Sequence, residues 1–223
     1  MEYFASIIAG IWSSIGSNDK QLLVVFTGAL FAVTAGLVCY TKRLWIATRD
    51  LVRDTARSAQ LQTRAFIFLE RIDIVVGDGH LPQVEPKLRN GGTTPIKNGL
   101  THTTFYYSET PLPDSFDFPD LPPFGIEPVV LGPQASAISE LFEIPSKINS
   151  NLERRHGHFY VWGWIDYDDI FPNSPRHRTE FCNEIIYTSV TNNSVRWGAK
   201  SHHRFNGTDD ECMKQPKPYV KPT

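Results

Sequence analysis

Proline is missing from the first 81 residues. All 16 prolines lie at Pro82 or beyond, so the N-terminal third can form uninterrupted helix, whereas the rest of the chain is broken into short elements. Cysteine is scarce. Cys39, Cys182 and Cys212 contain no CxxC pair, which excludes a zinc ribbon, a thioredoxin-like motif and a disulfide-stapled scaffold. Several signatures of chemistry are missing as well. There is no GxSxG elbow, no GxxxxGKS/T or GxGxxG loop and no HExxH pair, which argues against a hydrolase elbow, the usual nucleotide-binding loops and a zincin site. A large excess of charge is missing overall, with a formal net charge of −2, but the balance is uneven: −1 up to Lys20, +4 from Thr41 to Arg64 and −5 from Ala65 onward. The acidic C-terminal part disfavours nucleic acid as a partner.

Gln21 to Tyr40 reads QLLVVFTGALFAVTAGLVCY, a stretch without charge or proline. At about 1.5 Å per residue such a helix matches a hydrocarbon core of roughly 30 Å. A buried helix of a soluble domain is usually shorter and keeps a polar face, but here only Thr27, Thr34 and small residues interrupt the apolar run. A cleaved signal peptide would carry Lys or Arg before its apolar stretch, where only Glu2 precedes Asn18. Residues 21–40 are therefore expected to be a retained single-pass anchor. Tyr40 and Trp45 at one end and Trp12 at the other are candidates for an aromatic membrane-interface belt. Residues 1–20 place Tyr3, Phe4, Ile7, Ile8, Ile11, Trp12 and Ile15 on one helical side, the pattern of an amphipathic segment lying in the interface.

Residues 41–64 read as a basic juxtamembrane helix. Lys42, Arg43, Arg49, Arg53 and Arg57 follow the span, against Lys20 alone before it, so the positive-inside rule places the C-terminal domain in the cytoplasm. The reverse orientation is the alternative, because a short tail carrying Lys20 can also stay inside. The same five basic residues suit anionic lipid headgroups at the bilayer surface, or simply form a solvated helix face. Leu44, Leu51 and Ser58 give a weak heptad, so a homodimer through this stalk is a further expectation.

From Ala65 the periodicity changes to that of strands. The expected strands are AFIFLERIDIVV, VEPKLRN, Ile96–Tyr107, Val129–Leu131, Ala135–Ile144, His158–Ile170 and His177–Thr188, with one short helix at Ser146–Arg155. The last two strands, joined by Phe171–Pro175, read as an antiparallel hairpin. From Pro111 to Pro128 runs a proline-rich insertion whose Phe116, Phe118 and Phe124 can tuck against the domain. About seven short strands predict an antiparallel β-sandwich over residues 65–190, with an immunoglobulin-like topology as one specific form, followed by a polar tail over 191–223.

The order of single span, basic helix, RAFIFLE first strand, LRNGGTTPIKN turn and late YVWGWIDYDDIF with RTEFC is similar to uncharacterised inner-membrane proteins of proteobacteria. The resemblance covers most of the chain. It implies a bacterial inner-membrane location and a C-terminal β domain, and it carries over no catalytic residue.

For function, alternation along HFYVWGWIDYDDI puts Phe159, Val161, Ile165 and Tyr167 on one face and Tyr160, Trp162, Trp164, Asp166 and Asp168 on the other. If the first face is core, the second is a candidate protein-partner surface; otherwise its tryptophans pack under the 111–128 insertion or the short helix. The first expectation is thus a membrane-anchored interaction or scaffolding module with no cofactor. The alternative is a metal-dependent or hydrolytic enzyme with His177 near Asp166, Asp168 and Asp169, with His156, His158, His202 and His203 as further histidines. Cys182 and Cys212 are expected to be thiols, since a disulfide needs an oxidising compartment.

Overall fold

The computed structural model describes residues 2–77, 80–123, 125–189 and 195–219, and for residues 2–22, 188–189 and 195–196 the backbone only. The chain divides into two compact units, 1–59 and 60–223. The first is helix. A single helix, α1 (Glu2–Thr63), runs without a break through the segments expected to be interfacial, spanning and juxtamembrane, as the lack of proline allows. Its segment Leu23–Thr63 is long and apolar enough to cross a membrane. None of its side chains from Leu23 to Thr63 is buried.

The second unit is a β domain of two antiparallel sheets. Its elements are β1 (Ile67–Val75), β2 (Gln83–Asn90), β3 (Lys97–Ser108), β4 (Glu127–Val129), β5 (Ser136–Ile138), β6 (Phe142–Glu143), α2 (Ser146–Glu153), β7 (His158–Asp168), β8 (His177–Ser189), β9 (Val195–Ser201) and β10 (Gly207–Thr208), with a short 3-10 turn at Asp209–Glu211. One sheet has the order β1-β2-β5, with β6 also on β2. The other has the order β10-β8-β7-β3-β4, with β9 also on β8. The expected β7–β8 hairpin is present, with Phe159 opposite Ile185 and Tyr167 opposite His177.

Two expectations need correction. The stretch Ala135–Ile144 is two strands, because β5 pairs with Lys87–Arg89 and β6 with Gln83–Val84. Pro86 stands between those two pairings and has no N–H to continue a ladder; Ser139 N donates to its carbonyl at 2.9 Å instead. The domain also continues beyond residue 190. β9 lies alongside Asn183–Ser189 and β10 alongside Thr179–Glu180, so residues 195–208 extend the second sheet. Residues 220–223 lie outside the described residues.

The alternation of β7 places it in the middle of three layers. Ile165 and Tyr167 pack with Ile67, Leu88 and Phe181, while Phe159 and Val161 pack with Val84, Phe142, Ile144 and Ile185, forming the core between the sheets. Tyr160, Trp162 and Trp164 face the other way, into a second core with Leu112, Phe118, Cys182 and Phe205. Each such large apolar side chain stabilises by about 1.5–3 kcal/mol when taken out of water. Gly163 sits between the tryptophans because a Cβ there would come within 2.4 Å of the His102 carbonyl oxygen and 2.7 Å of the Phe181 ring.

Candidate functional site

Polar side chains concentrate along the β7–β8 hairpin, but of the three carboxylates expected near His177 only Asp169 bonds to it, while Asp166 and Asp168 engage Arg178 and Arg176. Asp166 and Arg178 are cross-strand partners, with the guanidinium Nη1 donating to the two carboxylate oxygens at 2.9 and 3.0 Å. Arg178 Nε donates to Glu180 at 2.8 Å, and its guanidinium carbon lies 4.7 Å from the Trp164 ring centre. The residues are almost fully buried. Burial pushes the Asp166 carboxyl above its ordinary range, against the pull of Arg178 and of the Lys217 N–H. The remaining acceptor capacity is filled by the C-terminal segment. Met213 N and Lys214 N donate to Glu180 at 2.6 and 3.1 Å, and Lys217 N donates to Asp166 at 2.7 Å. Asp168 accepts from Asn98 at 2.7 Å and from Arg176 at 2.9 Å.

This arrangement corrects the partner-surface expectation. Tyr160, Trp162, Trp164 and Asp166 are buried, and only Asp168 of the five is partly exposed. Trp162 Nε1 donates to the Pro119 carbonyl at 3.2 Å and Trp164 Nε1 to Asp120 at 2.8 Å, while Phe116 and Phe118 meet Trp162 edge to face. Both faces of β7 are apolar enough to demand cover. The first sheet covers one, and the 111–128 insertion and the C-terminal segment cover the other. Phe124 lies outside the described residues.

His177 is the second centre. Its Nε2 is 3.2 Å from Asp169 and its Nδ1 is 2.9 Å from Asp209, a residue contributed by the segment after β10. Arg64, just past the end of α1, lies 3.2 Å from the same Nδ1 and pairs with Asp209 at 2.9 Å. Ser174 Oγ is 3.3 Å from His177 Nε2. A serine, a histidine and an aspartate are thus within hydrogen-bond reach of one another. Ser174 donates to Asp169 at 2.7 Å, and the imidazole lies between the carboxylates of Asp169 and Asp209. Burial alone would lower the His177 pKa, but the hydrogen bonds and charges of Asp209 and Asp169 outweigh it, and the net shift is upward. Burial alone would raise Asp209; His177 and Arg64 hold it below its ordinary value.

Among the described residues no three His, Cys, Asp or Glu side chains form a group that could hold a metal ion. The other histidines are dispersed. His158 Nδ1 pairs with Glu184 at 2.6 Å, and burial lowers the pKa of His202. The three cysteines are free thiols, and burial raises Cys182 and Cys212 to about 12. A hollow of about 300 Å³ lies between β1 and β8, with Phe68, Phe181, Asn183, Asn206 and Glu211 in its lining. The Asn183 Oδ1 there is buried without a hydrogen-bond partner.

On α1, Tyr40 and Trp45 are exposed, as are Lys42, Arg43, Arg49, Arg53 and Arg57. Arg49 lies 5.9 Å over the Trp45 ring. The side chain of Trp12 lies outside the described residues. Sequence reasoning missed Arg178, Glu180 and the returning segment 212–219 as one unit. The available signal was the alternation of HRTE, which puts Arg178 and Glu180 on the face of Asp166. No family model, curated protein or solved structure matches this chain, so the family resemblance rests on its short motifs alone.

Proposed function

We propose that the chain is a single-pass protein of the bacterial inner membrane that displays its β domain, an immunoglobulin-like sandwich, on the cytoplasmic side as a non-enzymatic interaction or scaffolding module. The observation that carries this reading is the pairing of a helix exposed along its whole described side-chain length with a domain in which the charged groups of the hairpin pair with one another. The first leaves its apolar length exposed, as expected of a helix that is covered by lipid or by another chain. In the second, the polar groups of the hairpin are engaged with one another: Arg178 with Asp166 and Glu180, and His177 with Asp169 and Asp209. The excess of basic residues after the span favours the cytoplasmic side, and Lys42, Arg43, Arg49, Arg53 and Arg57 would meet anionic headgroups there.

The test combines topology and partner capture in native membranes. A C-terminal reporter active only in the cytoplasm is expected to be active, and a periplasm-specific reporter silent; the opposite pattern overturns the orientation. A photo-crosslinker at Val130, whose side chain is 85% exposed, is expected to yield a discrete adduct with a membrane or cytoplasmic protein. Turnover of a metal-dependent or ester substrate that is lost on His177→Ala would favour the enzymatic alternative instead.

A further inference from the structure

Five threonines of α1 bond their hydroxyls to the backbone in the same way. Thr27, Thr34, Thr41, Thr48 and Thr55 donate from Oγ1 to the carbonyls of Leu23, Leu30, Leu37, Leu44 and Leu51, at 2.7 to 2.9 Å. The donors recur every seven residues, and so do the acceptors. In a heptad written abcdefg the leucines occupy every d and the threonines every following a. We propose that this stripe is the seam of a parallel, left-handed coiled coil between two copies of this chain, running from Leu23 to Thr55 through the membrane and into the stalk.

The chemistry of the stripe fits that occupant. Each threonine hydroxyl is already bonded to its own helix, so at position a the residue presents its β-branched methyl, and β-branched a residues with leucine at d favour two-stranded parallel pairs. The five leucines are between 58% and 69% exposed among the described residues. The charges avoid the seam. Lys42, Arg43, Arg49, Asp50, Arg53 and Arg57 fall at b, c and f and Asp54 at g, while Phe31, Val38, Trp45 and Val52 flank the seam at e.

The exact period excludes a helix that merely lies on a flat surface. A straight α-helix drifts by about 20° per heptad, so from Thr27 to Thr55 the stripe would wander by roughly 80° unless the helix supercoils around another of the same repeat. A second copy is the partner that repeats identically over this length. The reading of α1 as an anchor also fixes the register: two copies inserted with the same orientation are parallel, and every a and d of one meets its own counterpart. The inference rests on that reading.

Disulfide crosslinking of the full chain in native membranes tests it. The wild-type chain provides the baseline, since Cys39 falls at f, Cys182 is buried and Cys212 is partly buried. In a Cys39→Ser background, Thr41→Cys, Leu44→Cys, Thr48→Cys and Leu51→Cys are expected to give a species of twice the chain's mass, and Arg53→Cys, at f, is expected not to. Adding Leu44→Asp to the Thr48→Cys chain is expected to abolish the dimer. Crosslinking that is absent, uniform, strongest at f, or formed only with a chain of different mass overturns the proposal. The same membranes washed with alkaline carbonate separate the two readings. A chain that washes off yet crosslinks at a and d loses the anchor and keeps the seam, whereas one that stays in the membrane without crosslinking loses the seam alone.

Discussion

Asp166 and Arg178 face one another across β7 and β8, two wholly buried charges joined by hydrogen bonds of 2.9 and 3.0 Å to one guanidinium nitrogen. Glu180 takes the other side of the same guanidinium. Removing the arginine leaves two carboxylates in the core without their counter-ion. Arg178→Met is therefore expected to destabilise the domain by about 3–5 kcal/mol, read as a lower denaturant midpoint. Hydrogen exchange should also quicken at Met213, Lys214 and Lys217, whose N–H groups bond to those carboxylates.

The pH dependence of stability carries the mark of His177. Its folded pKa lies above the ordinary 6.5, so its contribution is full below that value and is lost as pH rises through the folded pKa. Stability is expected to fall on going from mildly acidic to alkaline pH. His177→Asn should flatten that slope while leaving the acid limb, where Asp209 loses its depressed pKa advantage as pH falls, dependent on Arg64 alone. An unchanged alkaline slope in the variant counts against the imidazolium.

Gly163 is confined by the His102 carbonyl and the ring of Phe181, its partner across the hairpin. Gly163→Ala is expected to cost about 1–3 kcal/mol through overpacking, measured as a lower thermal midpoint with an unchanged strand signature in circular dichroism.

Tryptophan emission reports the cover over β7. With Trp12, Trp45 and Trp197 replaced by Phe, the remaining Trp162 and Trp164 are expected to emit at short wavelength and resist acrylamide. Shortening the 111–128 insertion should expose both. Strong quenching in the intact chain would contradict the three-layer packing.

Periodicity made much of this architecture legible. The strands of the hairpin, the Asn90 turn and α2 follow from alternation and from glycine and proline punctuation, and the span follows from twenty residues without charge. Asn90 illustrates how far such punctuation reaches: its side chain accepts from Phe66 N and Gly92 N and donates to Thr94 and Gly132 carbonyls, closing the turn. What escaped was cover supplied from a distance. Alternation says that Trp162 and Trp164 share a face, but not that Phe118 and Phe205, 44 and 41 residues from those tryptophans, come to bury it. The tail looked polar because its contribution is made by backbone N–H groups, which composition does not reveal. The seam of α1 was only glimpsed through Leu44 and Leu51, since threonine counts as polar until its hydroxyl is seen to bond to its own helix.

The anchor is the premise on which orientation, lipid contact and parallel pairing depend, and alkaline carbonate extraction of native membranes tests it most directly. The full chain is expected to remain in the membrane pellet, while a variant lacking residues 2–40 is released. Equal release of both into the supernatant would contradict a membrane-spanning α1.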